Sequence, residues 1–299
     1  MTPPDQATQI FEAQRPRLRR LAYRMLGSLA EAEDVVQEAW LRWSGAGHDK
    51  VQSPGAFLSR TVTRLCLDAI KSARSRRETY VGSWLPEPML TTEPEEQADD
   101  LTLTLMLALE RLSPLERAAF LLHDVFAVPL EEVATTLDRD APAVRQLAVR
   151  ARRHVQEARP RYPVAPEEGD RIARAFFAAT RSGDTAALQS LLAENVVLQS
   201  DGGGKVLAFL NPIEGMARVL RLFDRLHRKP KAEPAEFLRP LIVDGLPGFA
   251  SRERGGVLQT TALEIEGGRI TRIYITRNPD KLHRIAQMLD GPSTYAARH

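Results

Sequence analysis

The stretch PLEEVATTLDRDAPAVRQLAVRARRHV, residues 129–155, decides how the chain is read. Leu130, Val133, Ala134 and Leu137 recur at helical spacing and form one apolar stripe. A second stripe runs through Val144, Leu147, Ala148, Ala151 and Val155. Between them, Asp138-Arg139-Asp140 leaves room for a short turn, so the spacing predicts a helix-turn-helix. Asp140 suits the cap of the second helix and Pro142 its first turn, where a missing N–H costs little. Asp138 stands at the turn, and aspartate tolerates left-handed backbone better than most residues. The face opposite the second stripe carries Arg145, Gln146, Val149, Arg150, Arg152 and Arg153. Arginine grips guanine or phosphate with two parallel hydrogen bonds, and glutamine can read adenine. Residues near the start of such a helix reach base edges. Arg145, Gln146, Val149 and Arg150 are therefore the expected base readers, with Arg153 beside them on phosphate.

Charge is distributed in blocks on either side of this element. Asp140 to Arg161 holds six arginines, and Arg64 to Arg77 holds Arg64, Lys71, Arg74, Arg76 and Arg77. Glu87 to Glu110 lies between them and contains seven acidic residues with no Lys or Arg. Two basic blocks around an acidic one suggest two nucleic-acid contacts joined by a linker, although three solvated faces would give the same pattern. No apolar run approaches a membrane span, and no basic, apolar leader of the secretory kind opens the chain. The single cysteine, Cys66, excludes an internal disulfide and a cysteine-rich zinc site, and fits a reducing cytosol.

Upstream, residues 1–77 read as helical throughout. Ser28-Leu29-Ala30-Glu31 and Ser53-Pro54 are start signals, and Gly27 and Gly45 to Asp49 are breaks. Asp34, Gln37, Glu38 and Leu41 stand at i, i+3, i+4 and i+7, a polar stripe with one leucine directed away from the apolar face. Tyr80 to Asp100 lacks helical period and reads as a linker, with Trp84-Leu85-Pro86-Glu87-Pro88 a stiff aromatic segment inside it. Helices resume from Leu101, and Ser113-Pro114-Leu115-Glu116 starts another. Beyond Pro160, Pro163 and Pro166 come helices expected over Arg171–Thr180, Thr185–Ala193 and Pro212–Leu226. Antiparallel strands follow over Phe237–Val243, Phe249–Glu253, Val257–Glu266 and Arg269–Thr276. Helices first and strands afterwards is an α+β signature. Three glycines after a strand are expected to leave Asp201 and Lys205 at a rim, and Asn278-Pro279-Asp280 to cap a helix over Lys281–Leu289.

Asp34-Val35-Val36-Gln37-Glu38-Ala39 resembles the polymerase-binding helix of bacterial sigma factors. The segments Leu112 to Arg117, Val144 to Gln146 and Arg150 to Arg153 resemble their −35-binding domain. Order and size match the two-domain extracytoplasmic-function group over about residues 5–160. The remainder resembles a SnoaL-like domain of the NTF2-like fold, on three motifs: Trp84 to Pro88, Asp201 to Lys205 and Asn278 to Leu282.

This resemblance implies two all-α domains followed by an α+β cone: a sigma-2-like domain (1–79), an acidic linker (80–100), a sigma-4-like domain (101–161) and a regulatory domain (167–290). It implies core RNA polymerase as partner of Asp34, Gln37, Glu38 and Leu41. It places the promoter −10 element against Arg60, Arg64, Lys71 and the loop Gly45 to Ser53. The linker, through Trp84 and Pro86, is expected to dock against the third domain near Asn278, Pro279, Asp280 and Lys281, with Asp201 and Lys205 at the same interface. No cofactor, metal or membrane is expected, although the cone could take an unknown small ligand. The fold also hosts enzymes with a carboxylate base, for which Asp201, His227 and Asp280 are the candidates, but no nucleophile–base pair or metal-ligand spacing accompanies them.

Overall fold

The computed structural model describes residues 6–46, 51–78, 80–90, 102–156, 164–229 and 235–290. It divides into two compact units whose chain segments interleave. The first comprises Met1–Thr79 and Thr104–Arg159, the second Tyr80–Leu103 and Pro160–His299. The acidic residues Glu93 to Asp100, Arg159, Arg161 and most of the Gly45–Ser53 loop's tip lie outside the described residues.

The first unit begins with α1 (Gln6–Leu26), α2 (Leu29–Ser44) and α3 (Pro54–Glu78). Ser28 caps α2 by accepting the Glu31 N–H. Leu18, Ala22, Met25, Ala32, Ala39, Trp43, Leu58, Val62 and Cys66 are fully buried among these three helices. Removing that apolar surface from water, at roughly 25 cal/mol per Å², is what draws them together. Then follow α4 (Leu103–Glu110), α5 (Pro114–Phe120) and a π-helical turn, Leu121–Val125. A full capping box starts α5: Ser113 Oγ accepts the Glu116 N–H, and the Glu116 carboxylate accepts the Ser113 N–H.

The helix-turn-helix is α6 (Leu130–Leu137) and α7 (Ala141–Gln156). Asp138 sits at φ 55°, ψ 52°, so the left-handed turn is carried by aspartate as its side chain permits. Asp140 Oδ1 accepts the Ala143 N–H at 2.7 Å and caps α7. Arg117, on α5, joins the two helical halves of this unit. Its buried guanidinium donates to the carbonyl of Met25 at 2.7 Å, to that of Leu109 at 3.0 Å and to Glu110 at 2.7 Å.

The second unit is an α+β cone. Its elements are α8 (Pro166–Ser182), α9 (Thr185–Leu191), β1 (Leu192–Asp201), β2 (Ile213–Glu214), α10 (Met216–Arg228), β3 (Glu236–Val243), β4 (Leu246–Glu253), β5 (Val257–Glu266), β6 (Arg269–Thr276) and α11 (Pro279–Asp290). The six strands are ordered β2-β1-β6-β5-β4-β3. Ile172, Phe176, Leu188, Val219, Phe249, Leu263, Ile273 and their neighbours form the core beneath α8, α9 and α10. Phe177, Phe237 and Phe249 fill part of it, with ring centroids 5.2–5.5 Å apart.

Two expectations need correction here. The helix expected over Thr185–Ala193 stops at Leu191, and β1 starts at Leu192. The four strands expected to run antiparallel, β3 to β6, do so, and β1 adds to the edge of β6 in parallel. Finally, Pro212 precedes the short strand β2, and the helix begins only at Met216. In both helices, pairing in the sheet (β1 with β6, β2 with β1) overrides a local helical pattern.

Candidate nucleic-acid interface and linker bed

On α7 the buried residues are Val144, Leu147, Ala148, Ala151 and Val155, which turns Arg145, Gln146, Val149, Arg150 and Arg153 to solvent. Val149 is 55% exposed, an apolar residue among the arginines and free to meet a thymine methyl. Two members of the row are held from below. Arg150 Nε lies 3.0 Å from Glu116 Oε1, and Arg152 pairs with Asp124. Glu116 therefore caps α5 with one oxygen and holds Arg150 with the other. Its partial burial would raise the carboxyl, but hydrogen bonds from Ser113 and the charges of Arg150 and His154 outweigh that and lower it. The sequence shows the capping box, whereas the contact with Arg150 closes only in the folded domain.

In the amino-terminal half, Asp34, Gln37 and Leu41 are exposed on α2, and Glu38 pairs with Arg42 at 2.9 Å. On α3, Arg64 donates to the Thr136 carbonyl of α6 at 3.4 Å, Lys71 pairs with Asp68 at 3.2 Å, and Arg60 is half-buried. Arg17 joins the same seam: it donates to Ser59 Oγ at 3.0 Å, and its guanidinium lies 5.4 Å from the Phe126 ring centroid.

The second unit brings its three motifs to one carboxylate. Asp201 is fully buried and is not at a rim, contrary to expectation. It accepts from the Tyr80 hydroxyl at 2.6 Å, the Leu85 N–H at 2.9 Å, the Gly203 N–H at 3.0 Å and Lys281 Nζ at 2.8 Å. Four donors explain how an ion can be buried here: an unpaired carboxylate would not survive the loss of water. Lys281 also donates to the Leu85 carbonyl, and its ammonium lies 4.4 Å from the Trp84 ring centroid and 5.0 Å from that of Tyr80.

Asn278 donates to the Tyr80 oxygen at 2.9 Å and accepts the Asp280 N–H, capping the helix that Pro279 opens. Lys205 remains exposed and pairs with Asp280 at 2.7 Å. Gly203 has φ 60°, and a Cβ there would lie 2.3 Å from the Asn278 amide, so only glycine lets the two motifs touch. Burial first, then the hydrogen bond to Asp201, pushes the Tyr80 hydroxyl well above its ordinary value. Tyr80 is a site residue that the sequence reading missed, since nothing local distinguishes it.

Beyond Trp84 the segment stays buried through Leu85, Pro86, Glu87 and Pro88. Glu87 lies 3.7 Å from Arg284. The segment's other anchor is Asp244, at the β3–β4 turn. The Met89 N–H donates to the Asp244 carboxylate at 3.3 Å, the Asp244 N–H donates to the Met89 carbonyl at 2.8 Å, and the Leu103 N–H donates to the Asp244 carbonyl at 2.9 Å. The anchors Asp201 and Asp244 stand on β1 and beyond β3, with β6, β5 and β4 between those strands. His227 lies elsewhere, against the Arg181 carbonyl at 3.1 Å, so the three acid–base candidates do not converge.

Fold and site together define a helical promoter-recognition protein with an added α+β domain. Sigma-70 region 2 matches residues 10–76, and Sigma-70, region 4 matches residues 102–155. The chain is 38% identical over 288 residues to the ECF RNA polymerase sigma factor SigJ of Mycobacterium tuberculosis, covering 91% of each chain. It is 34% identical to the probable ECF RNA polymerase sigma factor SigI of that species, covering 97% of this chain and 100% of the other. The crystal structure of M. tuberculosis SigJ matches with a TM-score of 0.74 at 34% identity, covering 92% of this chain and 98% of that one. The chain belongs to the extracytoplasmic-function RNA polymerase sigma factors, transcription initiation factors that direct RNA polymerase to promoters.

Proposed function

We propose that this sigma factor reads the −35 element with Arg145, Gln146, Val149 and Arg150, with Arg153 on phosphate, and contacts the −10 element through Arg60, Arg64 and Lys71. Core polymerase docks on Asp34, Gln37, Glu38 and Leu41. The domains run 1–79, 80–100, 101–161 and 167–290, and the protein works in the cytoplasm without catalysing a reaction. The α+β domain regulates the sigma domains by holding the linker between them.

The observation that carries the regulatory reading is the Asp201 carboxylate, which gathers Tyr80, Leu85, Gly203 and Lys281 at one buried point. Asp201 thus fixes the start of the linker to the domain that follows the promoter-binding helices, and Asp244 fixes Met89 and Leu103 to the same domain. The same saturation argues against Asp201 as a catalytic base, because every lone pair it would use faces a donor. No helix among the described residues is long and apolar enough to cross a membrane.

The test is transcription by core polymerase with the full chain, with Trp84→Ala and with a truncation before Asn278. Both changes loosen the linker, so both should shift promoter output in the same direction. Opposite shifts, or none, would remove the regulatory reading. Absence of promoter-specific initiation by the full chain would remove the assigned DNA and polymerase contacts.

A further inference from the structure

The helix α10 carries a regular row of arginines, and promoter reading by α7 makes no use of it. Met216 and Val219 are buried, and Leu220, Leu222 and Phe223 pack against the core of the second unit. The opposite side exposes Arg218, Arg221, Arg225 and Arg228, followed by Lys229. Steps of three, four and three residues keep the four arginines within about 80° of arc, over a length of about 15 Å. Arg254 donates to the carbonyls of Leu226 and Lys229 at 3.0 Å each, closing the C-terminal end of α10 and adding a further cation. The one carboxylate within the helix is Asp224, which pairs with Arg228 at 2.9 Å. Among the described residues, Arg218, Arg221 and Arg225 have no ion-pair partner. Like charges at i, i+3 and i, i+4 destabilise a helix, so this row sets up a repulsion that a bound polyanion would relieve.

We propose that this face of α10 binds the phosphate backbone of duplex promoter DNA, as a contact separate from the −35 and −10 readers. Successive phosphates of one strand advance about 3.4 Å along the duplex axis, so the row is long enough to face roughly four of them. Arginine outnumbers lysine four to one, and its planar guanidinium matches phosphate with paired hydrogen bonds. An anionic membrane would be the other polyanion to consider. Helices that lie on membranes pair such a row with an apolar face turned to the lipid, whereas here the apolar face is occupied by the protein's own core. The contact is made to backbone and so carries no sequence preference.

The experiment uses holoenzyme assembled from core polymerase and the full chain, on a promoter duplex extending upstream of the −35 element, over a series of salt concentrations. The variant is Arg218→Gln/Arg221→Gln/Arg225→Gln, which leaves the Arg228–Asp224 pair intact; the matching Arg→Lys triple is the control. Each phosphate contact contributes about 0.9 to the slope of log K against log salt. The Gln triple should therefore flatten the slope by about 2.7 and the Lys triple should keep it, with discrimination between correct and altered −35 boxes unchanged in both.

A slope within about 0.5 of the wild type, in a variant with unchanged circular dichroism, would overturn the proposal. So would binding of the wild type to anionic phospholipid vesicles that the Gln triple loses while its DNA slope stays put. Loss of −35 discrimination would instead implicate α7, and so separates failure of this inference from failure of the promoter-reading assignment.

Discussion

Replacing Asp201 by asparagine removes one negative charge and almost no volume, which makes it the sharpest test of how the linker is held. The carboxylate is fully buried, and its partner Lys281 keeps only 12% of its side chain exposed. In Asp201→Asn, the lysine ammonium loses its counter-ion, and one of the four donors on Asp201 meets an amide N–H where it had met an oxygen. Breaking a buried pair by removing one partner costs about 3–5 kcal/mol, because the remaining charge stays desolvated. For a unit of about 150–250 residues, each kcal/mol lowers Tm by about 2–4 °C. The second unit's melting transition should therefore fall by about 6–20 °C in scanning calorimetry, and the linker near Leu85 should become open to limited proteolysis at lower temperature. The double variant Asp201→Asn/Lys281→Met removes both charges and should recover a substantial part of the loss. A single variant that melts within about 2 °C of wild type, or a double variant that falls by the sum of the two singles, would refute the role given to this pair.

Four further outcomes follow from contacts in the two units. The Tyr80 hydroxyl is raised by burial and by Asp201, so its protonated form is favoured in the folded state. Its contribution is complete below the ordinary tyrosine value of about 10 and is lost as pH rises towards the folded value. Tyr80→Phe should thus flatten the stability–pH curve of the second unit above that point and remove one late-titrating phenol from the ultraviolet titration. On α5, Glu116→Ala should lower the stability of the first unit by about 1 kcal/mol through loss of the cap. The lowered Glu116 carboxyl adds stability above the ordinary carboxylate range and loses it as pH falls through its folded value, so wild type and Glu116→Gln should converge in denaturant titrations at acid pH. Cys66 is fully buried, and that burial pushes its thiol up. A disulfide reagent such as Ellman's should react with it only as fast as the first unit opens, and prompt labelling of the folded protein would contradict the packing of α3.

How much of this was legible in the sequence divides by distance along the chain. Ser28, Ser113 with Glu116, Asp138 and Asp140 act within four residues of themselves, so the helix boundaries and the left-handed turn could be read directly. The α+β signature followed from the run of helices and then strands, and the cone from the family resemblance. Strand β1 did not, because Leu188, Leu191 and Leu192 continue a helical stripe, and only pairing with Ile270 and Arg272 on β6 draws Leu192 onward into the sheet. The site shows the same division. The three motifs were visible as motifs, but the burial of Asp201 depends on Tyr80 and Lys281, 121 and 80 positions away. Likewise, Arg150 could be recognised as a basic residue on the exposed face of the second helix of the helix-turn-helix, whereas its tie to Glu116 belongs to the packing of α5 against α7.

Asp244 has a mechanical consequence for the linker. It binds Met89 through its carboxylate and amide, and Leu103 through its carbonyl, so one residue clamps the neck of the segment between them. The distance between those two ends is set at the neck, whatever lies inside. Insertions between Leu90 and Thr102 should therefore leave the spacing of Met89 and Leu103 unaltered, because Asp244 sets it from outside the inserted segment.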